Sequence, residues 1–456
     1  MKIGLLPLYI KLYDDIGATT RGYLEDFYAE VAQIFREKGL EVETSPFCRI
    51  KSEFRETIRA FEAAKVDALV TLHMAYSPSL ESLDSLLSTD LPIIVLDTTP
   101  TLEFTQTQDP IHINYCHGIH GVMDLCSMLK RHKKPYAIAT GHYTESDVID
   151  RVCGFVRAAM AARSLSKQKV GLIGGSFPGM GDFTVEPAEM KQRFGVQMEK
   201  VDTDSLRKLG ESVTEAEIQA EKEENARRCD RNANVVEEEY TDCVKSCLQV
   251  RKLLDVFGYT AFSVNFLDIS GLDSMPFMEA CKAMERGIGY AGEGDGLTAA
   301  FTGALLAAYP ETSFVEIFCP DWKNNLLFLS HMGEMNYRIM DTRPVITRCA
   351  ENFTTGTNPY VGYTRMKKGT GVYVNVSRGP EDYELLIAPC EMQAYGYDNF
   401  QTSMRGWMKP ERLSTAEFLK ALSVNGATHH STFVYGATTE ELEFFGKLLS
   451  MKTVVI

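Results

Sequence analysis

The sequence predicts an α/β protein of two doubly wound α/β domains followed by a mostly antiparallel, barrel-like β domain. Three observations lead there. The first 300 or so residues alternate apolar runs with helix-period segments, the pattern of repeated β-α units around parallel sheets. After Pro310 the texture changes to short strand-like runs separated by turn residues, with few strong helices. A chain of 456 residues is too long for one hydrophobic core, at ~150 residues per domain. The boundaries read as 1–166, 167–309 and 310–456.

In the first region KIGLLPL, DALVTLH, LPIIVLD and YAIATGH read as buried parallel strands. The helices between and after them run over Leu24 to Lys38, Ser52 to Ala64, Ser79 to Leu87, Ile119 to Arg131 and Glu145 to Ala162. His73, His117, His120 and His142 fall at or just after strand ends, the ligand-facing edge of such sheets. The polar break RSLSKQ leads to a second α/β region that opens with KVGLIGG. Its continuation GGSFPGMGD lacks a Gly-Lys-Ser/Thr ending, so it reads as a binding-site turn, not a phosphate loop. One solvated acidic helix is expected from about Thr214 to Tyr240, then the strand TAFSVNFLD and a helix over Pro276 to Arg286. In the last region FVEIFC, LLFLSH, PVITRCA, GVYVNVSR, YELLIAPC and HSTFVYG read as strands, with helices at Ser414 to Leu422 and Thr439 to Leu449.

Composition excludes several classes. Hydrophobic residues make up 45% and charged residues 24%, ordinary for a globular protein. No apolar run approaches the ~20 residues that span a bilayer, and Lys11 interrupts the N-terminal apolar stretch, so a first strand is expected there and not a signal peptide. A net charge of −15 disfavours nucleic acid and anionic membranes as partners. The 11 scattered cysteines read as reduced thiols of a cytoplasmic protein. Cys243 and Cys247 share a helix face but have no second pair at zinc-site spacing.

The chemistry concentrates where the α/β regions meet the β region. Glu293 sits in AGEGDG, a glycine-framed turn, with Asp295 two positions on. Glu316 lies inside an apolar strand, where a carboxylate is costly unless paired or bound to a cation. His331 ends the run NNLLFLSH. His429 and His430 lead into HSTFVYG, and strand alternation predicts that only one of them reaches a common site. Two carboxylates and two imidazoles on separate elements form a mixed oxygen/nitrogen donor set that suits Mn2+, with Co2+, Mg2+ or Zn2+ as alternatives.

At AGEGDGLTAA, SFVEIF, SHMGE and GATHHSTF, in that order and at similar gaps, the chain resembles the L-arabinose isomerase family. HGIHG, ATGHY and NFLDISGL extend the resemblance through most of the length. It implies a metal-dependent aldose–ketose isomerase with Glu293, Glu316, His331 and His430 as ligands of Mn2+ or another divalent cation. Glu293 and Glu316 would also be the acid/base pair, and His430 is preferred over His429. Tyr76, His120, Phe177, Phe266 and Met332 would line the sugar pocket, His120 from a neighbouring subunit of a hexamer. Departures bear on the substrate. Gly296-Leu297 stand where the family has Trp-Lys, Ile317-Phe318 where it has Asp-Tyr, and His117 where it has Gln. These predict a sugar other than L-arabinose. The alternatives are a six-carbon, deoxy or acid-substituted sugar in the manner of L-fucose isomerase, or a non-catalytic sugar-binding protein on the same scaffold. Retention of all four ligands argues against the last.

Overall fold

The computed structural model describes residues 1–16, 21–350, 353–354 and 356–456. In the first 160 residues the strands are β1 (Lys2–Leu8), β2 (Glu41–Thr44), β3 (Ala68–His73), β4 (Ile93–Asp97) and β5 (Tyr136–Thr140). They form one wholly parallel sheet in the order β2-β1-β3-β4-β5. Every residue of β3, and all of β1 but Lys2, is buried, as strands covered on both faces must be. The helices Arg21–Glu37, Lys51–Ala63, Ser79–Ser88 and Ile119–Arg131 match expectation closely. The edge strand β2 was not anticipated: EVET has no buried residue, so it carries no apolar signal.

The next strands are β6 (Lys169–Ile173), β7 (Gln197–Lys200), β8 (Asp230–Arg231), β9 (Ala261–Val264) and β10 (Gly289–Gly292). Four of them form a second parallel sheet, ordered β10-β9-β6-β7. The single acidic helix expected between Thr214 and Tyr240 is a misreading. Two helices occur, Glu215–Arg228 and Glu237–Phe257, and the chain between them extends so that β8 can pair with a later strand. Nor is the first of these a purely solvated face. Ile218, Glu221 and Asn225 are buried, and Glu221 pairs with Arg251 (2.7 Å) and Lys282 (2.5 Å).

The last strands are β11 (Thr312–Asp321), β12 (Leu326–Ser330), β13 (Val345–Arg348), β14 (Tyr360–Tyr363), β15 (Gly369–Arg378), β16 (Tyr383–Gln393), β17 (Gly406–Pro410), β18 (His430–Tyr435) and β19 (Lys452–Val455). Strands β15-β18-β11-β12-β17-β16 pair antiparallel in sequence around a ring, and β16 returns to β15, closing a six-stranded barrel. The first half of β16 also carries β19 as a parallel neighbour. PVITRCA, expected among the barrel strands, lies outside it: β13 pairs with β14 and β8 in a small separate sheet. By contacts the chain divides into two compact units, Met1–Met160 and Ala161–Ile456. The second holds both the β6–β10 sheet and the barrel. Among the described residues no helix is long and apolar enough to cross a membrane.

Candidate active site

Barrel register brings three of the predicted residues together. On β11, Glu316 lies opposite His430 of β18 on one side and Ser330 of β12 on the other, and His331 follows Ser330 directly. Residues opposite one another in an antiparallel pair share a face. Two residues before Glu316, and so on the same face, Phe314 sets its edge against the rings of both His331 and His430, each 4.9 Å away. Glu293 arrives from the other sheet, at the C-terminal end of β10, the end where parallel sheets present ligand-binding groups.

The turn at Glu293 explains its glycines. A Cβ at Gly292 would lie 2.5 Å from Cε1 of His331, and one at Gly294 2.2 Å from the carbonyl oxygen of Gly175. Glu293 itself has φ 64°, a conformation that non-glycine residues rarely adopt. It is held from three directions: its N–H donates to Val264 (3.1 Å), its carbonyl accepts the N–H of Phe177 (3.0 Å), and the Gly294 N–H donates to Ser263 Oγ (2.8 Å).

Each imidazole is gripped at Nδ1 by a carboxylate. His331 donates to Glu334 (2.8 Å), His430 to Asp295 (3.0 Å) and His429 to Asp182 (2.6 Å). Glu334 also accepts from Tyr290 Oη (2.7 Å) and the Gly333 N–H (2.8 Å), and Asp295 caps the helix Gly296–Leu306 through the Thr298 N–H (2.8 Å). Because a carboxylate only accepts, each Nδ1 carries a hydrogen and leaves Nε2 to face inward. Nε2 of His331 then lies 3.7 Å from Glu316, and Nε2 of His430 lies 3.6 Å from Glu293. The His430 Nε2 is buried with no hydrogen-bond partner among the described residues.

The carboxylates and imidazoles of the site shift one another. Burial alone would depress the His331 pKa, but Glu334, Glu316 and Glu293 outweigh burial and raise it. Burial pushes the Glu316 carboxyl up, while at Glu293 the imidazoles of His429, His331 and His430 overcome burial and pull it down. His429, hydrogen-bonded to Asp182 and Glu293, is raised to about 10. Inward-facing imidazole nitrogens and carboxylate oxygens gathered in this way are a donor set of the kind that can hold a divalent cation. Two overlapping groups, Glu316–His331–His430 and Glu293–His429–His430, bring their ligand atoms within 4.8 Å of one another. Both histidines of the pair reach Glu293, with His429 Nε2 at 3.5 Å. The alternation argument fails because His429 precedes β18 and is not itself a strand residue.

Of the other predicted site residues, Phe177 and Phe266 follow β6 and β9 and pack together, ring centroids 5.3 Å apart. Met332, next to His331, lines a small cavity with Phe277, Cys349, Phe353, Pro359 and Tyr363. Tyr76 and His120 belong to the first compact unit. Tyr76 is half-buried past β3, and His120 is exposed in the first turn of Ile119–Arg131. Its ring lies 5.8 Å from that of His117, which shares a hydrogen bond with the Tyr13 hydroxyl (2.9 Å). The sequence reading gave no role to Asp182, Glu334 or Asp295. Glu334 had a signal, the three-residue spacing from His331. Asp182 had none, being 247 residues from its partner. The Gly296-Leu297 departure is a matter of packing: both residues are buried, and a Cβ on Gly296 would strike Met198 at 2.4 Å. The Ile317-Phe318 departure sits beside the site, where β11 bulges and the exposed Phe318 ring lies 6.4 Å from His331.

Comparison with known proteins agrees with this architecture. The L-arabinose isomerase central domain matches residues 184–308, and the L-arabinose isomerase C-terminal domain matches residues 311–452. L-arabinose isomerase of Erwinia tasmaniensis is 23% identical over 408 residues, covering 85% of this chain and 80% of its own. That of Anoxybacillus flavithermus is 24% identical over 402 residues with the same coverage, and L-arabinose isomerase 2 of Bacillus licheniformis is 25% identical over 366 residues, covering 77% and 76%. A solute-binding protein from Agrobacterium vitis bound with alpha-D-tagatopyranose aligns over 67% of this chain and 87% of its own, at 14% identity and a TM-score of 0.17, too low to carry an argument. With both domain matches side by side over more than half of the chain, it belongs to the L-arabinose isomerase family and is an aldose–ketose isomerase.

Proposed function

We propose that this isomerase is metal-dependent, with Glu293, Glu316, His331 and His430 holding one divalent cation, Mn2+ ahead of Co2+ or Mg2+. The observation that carries this is the buried, unpartnered Nε2 of His430, aimed at Glu293 beside the matching His331–Glu316 pair. A divalent cation bound there supplies Lewis acidity toward a sugar's carbonyl and adjacent hydroxyl oxygens. Glu334 and Asp295 keep the imidazoles oriented for it. The two glutamates do the proton work. One takes the proton from C2 and returns it to C1, and the other carries the hydroxyl proton between O2 and O1, so aldose becomes ketose with no net oxidation.

Phe177, Phe266 and Met332 form apolar walls, and Tyr76 and His120 complete the sugar pocket, His120 from a neighbouring subunit of a hexamer. The substrate is a sugar other than L-arabinose. An apolar Ile317-Phe318 beside the site leaves pentose hydroxyls without partners, and such mismatches cost orders of magnitude in specificity. The test is metal analysis of purified protein, with a Mn2+-supplemented screen of pentoses, hexoses, deoxy sugars and charged sugars. Turnover should vanish on chelation and return with Mn2+. Full activity in metal-free protein would overturn the metal site, and highest kcat/KM on L-arabinose would overturn the substrate reading.

A further inference from the structure

We propose that Asp182 and His429 are a positioning pair for Glu293, with His429 acting on that carboxylate and not as a further ion ligand. The inference rests on the metal-dependent reading above. One oxygen of Asp182, Oδ2, accepts both the backbone N–H of His429 (2.9 Å) and its Nδ1–H (2.6 Å). A single carboxylate thereby fixes the position of the backbone and the plane of the ring together. The remaining nitrogen, Nε2, faces Oε2 of Glu293 at 3.5 Å, the same oxygen that faces His430.

The neighbour of Asp182 reinforces the hold. Phe183 packs on His429 at 5.5 Å and stacks on His430 at 5.1 Å with ring planes 5° apart, so one dipeptide sets both imidazoles. The glycine-rich loop before it reaches Glu293 from the other side, through the Phe177 N–H and through Ser176 Oγ, which donates to the Gly294 carbonyl (3.3 Å). Segment 176–183 therefore grips Glu293 by its backbone and, through His429, by its carboxylate. Glu293 needs such a grip. A non-glycine residue at positive φ is strained and persists only where its surroundings over-determine it.

Exposure separates this pair from the other two. The imidazoles of His331 and His430 are 3% and 0% exposed, and that of His429 is 35% exposed. Glu316, His331 and His430 already converge without His429. The pair thus sits at the rim and orients a carboxylate at the centre.

The experiment compares Mn2+-loaded wild type with Asp182→Asn, His429→Gln, their double variant and His430→Gln. It measures kcat and KM on the best aldose of the screen, Mn2+ affinity by electron paramagnetic resonance of free Mn2+, and Tm as a control for folding. In Asp182→Asn and His429→Gln we expect kcat to fall ~10–100-fold, with KM and the Mn2+ dissociation constant within about threefold of wild type. The double variant should be no worse than the weaker single, because both act through one contact. His430→Gln should instead weaken Mn2+ binding more than about tenfold. Unchanged kcat in Asp182→Asn, or multiplying losses in the double variant, would overturn the positioning pair. Loss of Mn2+ affinity in His429→Gln equal to that in His430→Gln would make His429 a ligand and overturn it too. A wild type that neither binds Mn2+ nor converts any aldose would sink the metal-dependent reading itself, an outcome distinct from these.

Discussion

At the scale of single residues, the site is assembled from donors whose identities are constrained by what surrounds them. Glu293→Gln and Glu316→Gln should each lower turnover by ~10²–10⁴-fold while the chain stays folded, since on the proposed mechanism each removes a proton carrier. An unchanged rate in either would show that the residue carries no proton. Gly292 offers a subtler probe. Its missing side chain makes room for the His331 ring, 2.5 Å from where a Cβ would stand. Gly292→Ala should therefore push that imidazole off its line to Glu316 and weaken metal binding without touching any donor atom. Calorimetric titration with Mn2+ measures this directly, and wild-type affinity in Gly292→Ala would mean the ring can give way at no cost. Glu334→Gln removes the acceptor that orients His331 and should cost ~10–100-fold in metal affinity or activity.

At the scale of elements, β18 and the segment that leads into it are bolted to β15 where they deliver His430. The buried Asn375 side chain donates to the carbonyl oxygens of Thr428 (2.8 Å) and His430 (2.9 Å), and its own oxygen accepts the Thr428 N–H (3.1 Å). Asn375→Leu should destabilise by roughly 1–3 kcal/mol for each buried group left unpaired, and should lower metal affinity as well. A Tm within one degree of wild type would contradict this. The helices Glu215–Arg228, Glu237–Phe257 and Phe277–Glu285 meet through charge, not only apolar packing: Glu221 with Arg251 and Lys282, and Glu279 with Arg251 (2.6 Å). Burial alone would raise the Glu221 pKa, but the Arg251 hydrogen bonds and the Lys282 charge hold it down at about 2. A folded-state pKa below the unfolded one stabilises above the unfolded value, and that stability is lost as pH falls toward about 2. Glu221→Gln should thus be destabilised at neutral pH, with its melting curve converging on that of wild type as pH approaches 2. A constant offset across that range would count against the assignment. This cluster was hidden in the sequence because an acidic run interrupted by bases reads the same whether its charges face water or one another.

At the scale of the whole molecule, the donors of one site come from a parallel sheet and a barrel, and the first compact unit carries Tyr76 and His120. Ligand that binds only the folded state stabilises it, by about 2.7 kcal/mol at a hundredfold excess over the dissociation constant. Chelation should accordingly lower Tm and Mn2+ restore it. The proposed completion of the pocket by a neighbouring subunit predicts complementation. A Glu316→Gln chain and a His120→Ala chain, each inactive alone, should regain activity when co-assembled, because some interfaces then pair an intact ligand set with an intact His120. A fully active His120→Ala, or an inactive mixture of chains shown to co-assemble, would make His120 structural.

By itself the sequence determined four of the five strands of the first sheet, the helices around it and five of the six barrel strands, β17 being unread, because apolar periodicity there follows the burial each element must satisfy. It also drew attention to Glu293 in its glycine turn, Glu316 in an apolar run, His331 at a strand end and the His429–His430 pair, and the family resemblance singled out Glu293, Glu316, His331 and His430 among them. Weak elements escaped it: β2 and β8 have no buried face to signal them. Only the tertiary structure decided the register that sets Glu316 opposite His430, the closure of the barrel from β16 back to β15, and the approach of Asp182 to His429 across 247 residues. Those are outcomes of packing between distant segments, and no local pattern of residues encodes which distant partner a hydrogen-bonding group will meet.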